Sequence, residues 1–268
     1  MSRFHEMPPH GEANLDPELL VGGMMNSPKR VGGVVHRVAT EATGTIHALL
    51  AHVRSRGLKW VPEPLGVADG YEMLTFLPGE VPHDMPAWIW EETTLRDVAA
   101  RLREWHDATV DFPSDGRHWN LDTCTPHEVI CHNDFAPYNC VFERERMSGL
   151  IDFDLCAPGS RLWDMAYTAY RYVPVMPPKP LHEYDEVSPF DVPEIRLRMG
   201  VFLDAYAMEK PAMRFTERAL LEAMRGRLTA IASWTRDHAE RTANATLARN
   251  ARMYDSHAAW IGDVLLRL

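Results

Sequence analysis

A chain of 268 residues that is 46% hydrophobic carries enough apolar material for a sizeable core, and its length suits one large domain or two lobes with a cleft between them. Its formal net charge of −10 argues against a surface built for phosphate backbones, so nucleic acid is not an expected partner. No apolar run approaches the roughly 20 residues of a membrane span and the first residues lack the apolar core of a signal peptide, so no membrane partner is expected and the predicted location is cytoplasmic.

Residues 1–17 are polar and punctuated by Pro and Gly, which predicts a flexible leader. The stretches Leu20–Ser27 and Arg30–Val38 then read as two short strands with glycines at their turns. Ile46, Leu49, Leu50 and Val53 recur at helical spacing, with Thr43 or Thr45 to cap the helix and Gly57 to stop it. Trp60–Val67 and Tyr71–Leu77 flank Ala-Asp-Gly and predict two more strands joined by a tight turn. Pro78-Gly79 ends the second of these, and 78–86 reads as a connector, which places an amino lobe over residues 18–79 and a carboxy lobe over 80–268.

Beyond the connector the pattern turns helical. Leu95, Val98, Ala99, Leu102 and Trp105 form a stripe behind the caps Thr93 and Thr94, and long helical patterns run over about 216–241 and 245–268. The exceptions are Val129–Cys131, Cys140–Glu143 and Leu150–Phe153, short β-prone segments that put the residues between them on loops at strand ends. The expected fold class is therefore α+β, with a small, mainly antiparallel β lobe carrying one helix and a larger, mostly α-helical lobe.

Those loops hold the chemistry. His132-Asn-Asp134 is followed by Asn139 and, at the end of an apolar run, by Asp152 and Asp154, the order in which kinases set out their phosphoryl-transfer groups. Phosphoryl transfer needs a metal held on the nucleotide phosphates and an acceptor hydroxyl oriented in line. Magnesium takes a few protein oxygens and completes its shell from phosphate and water, which suits the Asp152 carboxylate and the Asn139 amide oxygen. Asp134 is then free to take the proton of an acceptor hydroxyl, and His132 braces its loop. Four cysteines, Cys124, Cys131, Cys140 and Cys156, share this segment without Cys-x-x-Cys spacing, so they read as reduced thiols, and a zinc hydrolase has no ligand spacing to support it.

His132-Asn-Asp-Phe-Ala-Pro-Tyr-Asn139 with Leu150-Ile-Asp-Phe-Asp154 resembles the aminoglycoside phosphotransferase and choline kinase superfamily, small-molecule relatives of the protein kinases. Gly22-Gly23-Met-Met-Asn26 resembles that family's phosphate-covering loop, Leu74–Gly79 its interlobe hinge, and Trp163-Asp-Met-Ala166 the step that opens a helix after the metal site. The resemblance implies a bilobal protein-kinase-like fold and a Mg2+-dependent enzyme using ATP or GTP, expected as a monomer or homodimer. It makes Asp134 the base, Asn139 and Asp152 metal ligands and Asp154 a second metal or water contact. It places Gly22, Gly23 and Asn26 over the phosphates, and the backbone of Thr75 to Leu77 on the base edge. Asp164 reads as a helix cap or a brace of the catalytic loop.

One pairing departs from the pattern. Kinases hold the α- and β-phosphates with a strand lysine paired to a helix glutamate, but Val34–Val38 contains no lysine and Ile46-His47 stand where the glutamate belongs. Arg37, with His36 as the alternative, has to take the lysine's place if phosphate is bound there, the other reading being a solvated strand arginine, and Glu41 is a candidate partner for Arg37. The gap also leaves open a kinase-like protein that binds nucleotide without turnover. The acceptor is a small-molecule hydroxyl. Glu183, Asp185, Glu186, Asp191 and Glu194 form an acidic run without a basic residue, which is either a pocket for a cationic acceptor or a solvated loop. Trp163, Tyr167, Tyr170 and Tyr172 offer a cation-π or stacking wall, and 163, 167 and 170 share a helical face that also reads as core.

Overall fold

The structure, a computed structural model, describes residues 18–20, 28–183, 185–208 and 210–266. Its amino-terminal part is a five-stranded antiparallel sheet of β1 (Glu18–Leu19), β2 (Lys29–Val31), β3 (Val34–Val38), β4 (Pro64–Ala68) and β5 (Tyr71–Thr75), ordered β1-β2-β3-β5-β4. Gly32, at φ 60°, makes the turn from β2 to β3, because a left-handed residue matches the twist of a two-residue hairpin. Most of the strand expected over Leu20–Ser27 lies outside the described residues. In the register of β3 with β5, Arg37 stands directly opposite Glu72 and His36 opposite Met73, so each pair projects on one face.

Helix α1 (Thr43–Ser55) buries Ile46, Leu49, Leu50 and Val53 as the spacing predicts, and Gly57 follows its end at φ 99°. The expected threonine cap does not form. Thr43 and Thr45 lie buried in the first turn, and the Thr43 hydroxyl instead accepts from the N–H of Thr40 (2.8 Å). Likewise α2 (Glu92–Thr109) begins before Thr93 and Thr94, and the Thr94 hydroxyl donates to Trp88 O (3.0 Å). These threonines stand one to three residues inside their helices, too deep to serve as caps, whose backbone must still be extended.

The stripe Leu95, Val98, Ala99, Leu102 and Trp105 is fully buried; each large side chain in it contributes about 1.5–3 kcal/mol by leaving water. Trp105 also donates its ring N–H to Ile130 O (2.8 Å), which ties α2 to strand β6 (Val129–Cys131). The strand expected over Leu150–Phe153 instead runs earlier. Strand β8 (Arg146–Leu150) pairs with β7 (Cys140–Glu143) across a turn at Arg144 and Glu145, both at positive φ, so Ile151 to Asp154 are released from the sheet. Strand β9 (Ala157–Gly159) pairs with β6 and leads into α3 (Arg161–Tyr172), α4 (Val192–Ala207), α5 (Glu217–Thr242) and α6 (Ala245–Trp260), which continues as a π-turn over Ile261–Leu265. Helix α4 is not expected from the sequence; Asp191, within the acidic run, caps it by accepting from Glu194 N (3.0 Å).

The sheet and the helical part meet where backbone approaches backbone. Glu80 and Phe142 exchange two main-chain hydrogen bonds (2.9 and 2.8 Å), and Leu150 N donates to Trp60 O (3.0 Å). Gly79 and Gly149 sit at this contact, where an added Cβ would come 2.6 Å from Val141 and 2.8 Å from Leu77. The fold is thus the bilobal α+β arrangement expected, with β7–β8 and the released segment 151–154 lying under the sheet.

Candidate active site

His132 closes β6 and is fully buried, its ring edge-on to Phe153, Phe135 and Trp105 at centroid distances of 5.1, 5.9 and 6.3 Å. Burial holds its pKa below the ordinary histidine value, so the ring is neutral. One tautomer then satisfies both nitrogens: Nε2–H donates to Ile151 O (3.1 Å) and Nδ1 accepts from Asp134 N (3.3 Å). His132 therefore fastens the Asp134 loop to the segment that carries Asp152.

Asp164, in the first turn of α3, is buried to 0% exposure. It accepts from His132 N (2.8 Å), Asn133 N (2.8 Å) and His106 Nε2 (3.0 Å). Burial alone would raise its pKa, but the His106 hydrogen bond and the loop N–H groups outweigh that and hold it low. His106 is kept neutral by burial and accepts from the Tyr206 hydroxyl at Nδ1 (2.7 Å). Of the two readings of Asp164, the geometry is that of the brace; Ser160 is the residue that caps α3. Asn133 adopts φ 65° inside this frame, held by Asp164 at its N–H, by Leu155 O at its side chain (2.9 Å) and by Arg227 at its carbonyl (2.9 Å). A left-handed non-glycine residue persists only where neighbours over-determine it in this way.

Asp134 is half-buried at the next position. Its Oδ1 accepts from the Tyr138 hydroxyl (2.8 Å) and its Oδ2 from Asn139 Nδ2 (2.8 Å). Asn139 Nδ2 also reaches Asp134 O (3.0 Å), while the Asn139 carbonyl accepts from Ile151 N (2.9 Å). The nitrogen side of the Asn139 amide is thus committed to Asp134, which turns its Oδ1 the other way. Asn139 joins the Asp134 loop to the Asp152 segment through both ends.

Asp152 takes φ 63° directly after this anchor. About a third of its side chain meets solvent (36%), yet the crowding protein atoms push its pKa up to about 6, against the opposing pull of Arg37. Arg37 NH1 lies 3.6 Å from Asp152 Oδ1, and Arg37 NH2 donates to Asp154 Oδ2. Both carboxylates therefore converge on a point that already accepts positive charge. Asp154 is held in turn by Asn120, whose Nδ2 donates to its main-chain oxygen (3.1 Å). No group of three His, Cys, Asp or Glu residues with metal-holding geometry occurs among the described residues. The oxygens available to a cation here are the amide of Asn139 and the carboxylates of Asp152 and Asp154, a set whose chemistry suits a hard cation that draws its other ligands from phosphate and water.

The expected partner of Arg37 is corrected. Glu41 is exposed and pairs with His118 (3.5 Å). Arg37 Nε instead lies 3.3 Å from Glu72 Oε1, and Glu72 Oε2 is 3.1 Å from His47 Nε2. His36 faces Met73, on the other side of the strand from this cluster. Gly22, Gly23 and Asn26 lie outside the described residues. At the hinge, the N–H groups of Thr75 and Phe76 are already bonded to Glu63 O (3.0 Å) and Gly33 O (2.8 Å). The Leu77 N–H has no such partner among the described residues, and its side chain packs on Gly149.

Several site residues were not singled out from the sequence: Glu72, His106, Tyr138, Arg171 and Arg227. Glu72 carried a signal, an acid at an inward strand position, and Tyr138 lies inside the 132–139 motif, four residues from the Asp134 it bonds; His106, Arg171 and Arg227 are set by long-range packing. The Tyr138 hydroxyl also bonds that of Tyr167 (2.9 Å), and its ring lies 5.6 Å from the Arg171 guanidinium, which pairs with Glu186 (2.7 Å). Tyr167 and Tyr170 are buried as core.

Residues 87–198 match the model of the phosphotransferase enzyme family APH. A trifolitoxin immunity protein from Rhizobium leguminosarum bv. trifolii is 32% identical over 151 residues, a stretch that spans 53% of this chain and 57% of that relative. The described fold is similar to an ethanolamine kinase of Plasmodium vivax (TM-score 0.67, 10% identity, 91% of this chain and 82% of that one). It is also similar to a choline/ethanolamine kinase family protein from Mesorhizobium loti (TM-score 0.63, 13% identity, 94% and 90%). The ADP-bound aminoglycoside phosphotransferase APH(2'')-Ib superposes with a TM-score of 0.54 at 16% identity, over 92% and 94% of the two chains. Family model and structural neighbours thus agree with the superfamily whose motifs the sequence resembles, and at these identities the neighbours establish the fold. No helix among the described residues is long and apolar enough to cross a membrane.

Proposed function

We propose that this protein is a small-molecule phosphotransferase that moves the γ-phosphate of ATP or GTP to an acceptor hydroxyl, with Mg2+ bound by Asn139 and Asp152 and approached by Asp154. The observation that carries this reading is the double attachment of Asn139, to Asp134 Oδ2 through its side chain (2.8 Å) and to Ile151 N through its backbone (2.9 Å). That attachment fixes a proton-accepting carboxylate relative to a metal-binding one, which is the positioning that phosphoryl transfer requires.

When bound, the metal neutralises charge on the transferring phosphoryl group. The protein's own part begins with Asp134, which orients the acceptor hydroxyl and takes its proton, while the Tyr138 hydroxyl donates to the other carboxylate oxygen and keeps it from rotating. The two terminal nitrogens of Arg37, which here meet Asp152 and Asp154, turn to the phosphates when nucleotide and metal take up those carboxylates, in a bidentate geometry a lysine lacks. Leu77 N–H meets the base edge, and residues 18–79 and 80–268 act as the two lobes around the nucleotide. The reading places the protein in the cytoplasm, where both nucleotides abound.

The test is thermal stabilisation by magnesium nucleotide. At a hundredfold excess over Kd a ligand adds about 2.7 kcal/mol to stability; Asp152→Ala should remove most of it. Asp134→Ala should keep nucleotide binding and lose transfer in a screen of aminoglycosides, amino alcohols, nucleosides and sugars. Binding without transfer to any acceptor would favour a nucleotide-binding protein without turnover. A second reading is supported by the immunity protein that is 32% identical over 151 residues: here the hydroxyl belongs to a toxin or to its target, and phosphorylation protects the cell.

A further inference from the structure

The site contains a charged pair that no motif assigns. Arg37 and Glu72 face each other across β3 and β5, directly in register, where opposite charges support one another most strongly. Glu72 is only 4% exposed, a position at which an acid is stable only when paired. Its two oxygens are divided between two partners, Arg37 Nε at 3.3 Å and His47 Nε2 at 3.1 Å. The Arg37 contact is ionic without the angle of a hydrogen bond, and it occupies only the Nε edge of the guanidinium. Both terminal nitrogens are left facing Asp152 and Asp154.

We propose that Glu72, itself held by His47, is the positioning residue that aims Arg37 at the nucleotide phosphates. The ion pair that grips phosphate is then built between two neighbouring strands, with α1 contributing an imidazole brace in place of a carboxylate. This assignment rests on the phosphotransferase reading and deepens it. It has a structural consequence: a strand-to-strand pair is fixed by sheet register, so the grip does not depend on a movement of α1, and α1 contributes only through His47.

The experiment measures magnesium-nucleotide affinity and the KM values of both substrates in Glu72→Gln, Arg37→Met and the double variant. Glu72→Gln keeps the shape of the side chain and removes its charge. It should weaken nucleotide binding about tenfold or more, the size of one charged hydrogen bond from a misaimed Arg37 to phosphate, and leave the acceptor KM unchanged. Because Glu72 acts through Arg37, the double variant should bind no more weakly than Arg37→Met alone. Additive losses, or a loss shared equally by both substrates, would overturn the assignment. If Glu72→Gln does not fold, His47→Gln carries the same test with a smaller, nucleotide-specific loss, and unchanged nucleotide affinity there refutes the brace. A wild-type protein that binds no nucleotide would refute the phosphotransferase reading, whereas full binding by Glu72→Gln would refute only this one.

Discussion

Asp164 offers the sharpest test of how the Asp134 loop is held. The substitution Asp164→Asn keeps the shape of a side chain at 0% exposure but replaces one acceptor oxygen by an NH2 group. In one orientation the amide oxygen serves His132 N and His106 Nε2, and the NH2 opposes Asn133 N–H. In the other it serves Asn133, and the NH2 opposes His132 N–H. Either way one buried backbone N–H loses its acceptor and meets a donor, which costs about 2–3 kcal/mol. For a chain of this size that corresponds to a fall in Tm of about 4–12 °C, readable by scanning calorimetry and by the urea midpoint. Transfer activity should fall further than stability, because the opposed N–H belongs to the loop that carries Asp134. A loss of stability below about 1 kcal/mol would refute the idea that Asp164 organises the loop by accepting these bonds.

Two further perturbations follow from other parts of the fold. Gly79→Ala places a methyl 2.6 Å from Val141 Cγ1 and 2.7 Å from Phe142 O at φ 132°; since Phe142 is locked to Glu80, the cost should be about 3 kcal/mol. Gly149→Ala meets mainly the movable end of Leu77 at 2.8 Å, so its urea midpoint should shift by about half as much or less, and equal costs would contradict the lock at Glu80. Stability should also fall on acidification, because burial lowers the pKa values of His106, His132 and His257 below the unfolded value. Unfolded histidines take up protons that the folded ones refuse, so the stability present above pH about 6.5 is lost as pH drops, by up to about 2 kcal/mol in all between pH 7 and 6. A flat urea midpoint over that range would mean that these rings protonate without unfolding. Asp152, raised to about 6, contributes the opposite sign and mainly below this window.

The lobes, the helical stripes and the His132–Asp154 segment were legible because each is local: a period of 3.6 or 2, or a motif within two dozen residues. What escaped the sequence is pairing, which no period along the chain records. Leu150–Phe153 looks as β-prone as any strand here, yet only its first residue pairs, because the turn at Arg144 and Glu145 sets the register and releases Ile151 onward. The choice of Glu72 over Glu41 as the partner of Arg37 depends on which residue lies opposite in a sheet, and no spacing along the chain reveals that. His106 and Tyr206, a hundred residues apart, meet only because α2 and α4 pack together.

The acidic run shows how pairing changes what a charge can do for an acceptor. Read along the chain, Glu183 to Glu194 is an unbroken field for a cation. In the fold, Asp191 caps α4, Asp185 accepts from His182 N (2.8 Å), and Glu186 is paired with Arg171 at 2.7 Å. Arg171 in turn lies 5.6 Å from the ring of Tyr138, the residue whose hydroxyl holds Asp134. The run therefore reaches the site through an arginine, as a compensated pair, and the Glu186 carboxylate is already occupied by Arg171. On the phosphotransferase reading, selection of the acceptor falls less to net negative charge than to the hydroxyls and ring faces around Asp134, which would discriminate by hydrogen bonding and shape.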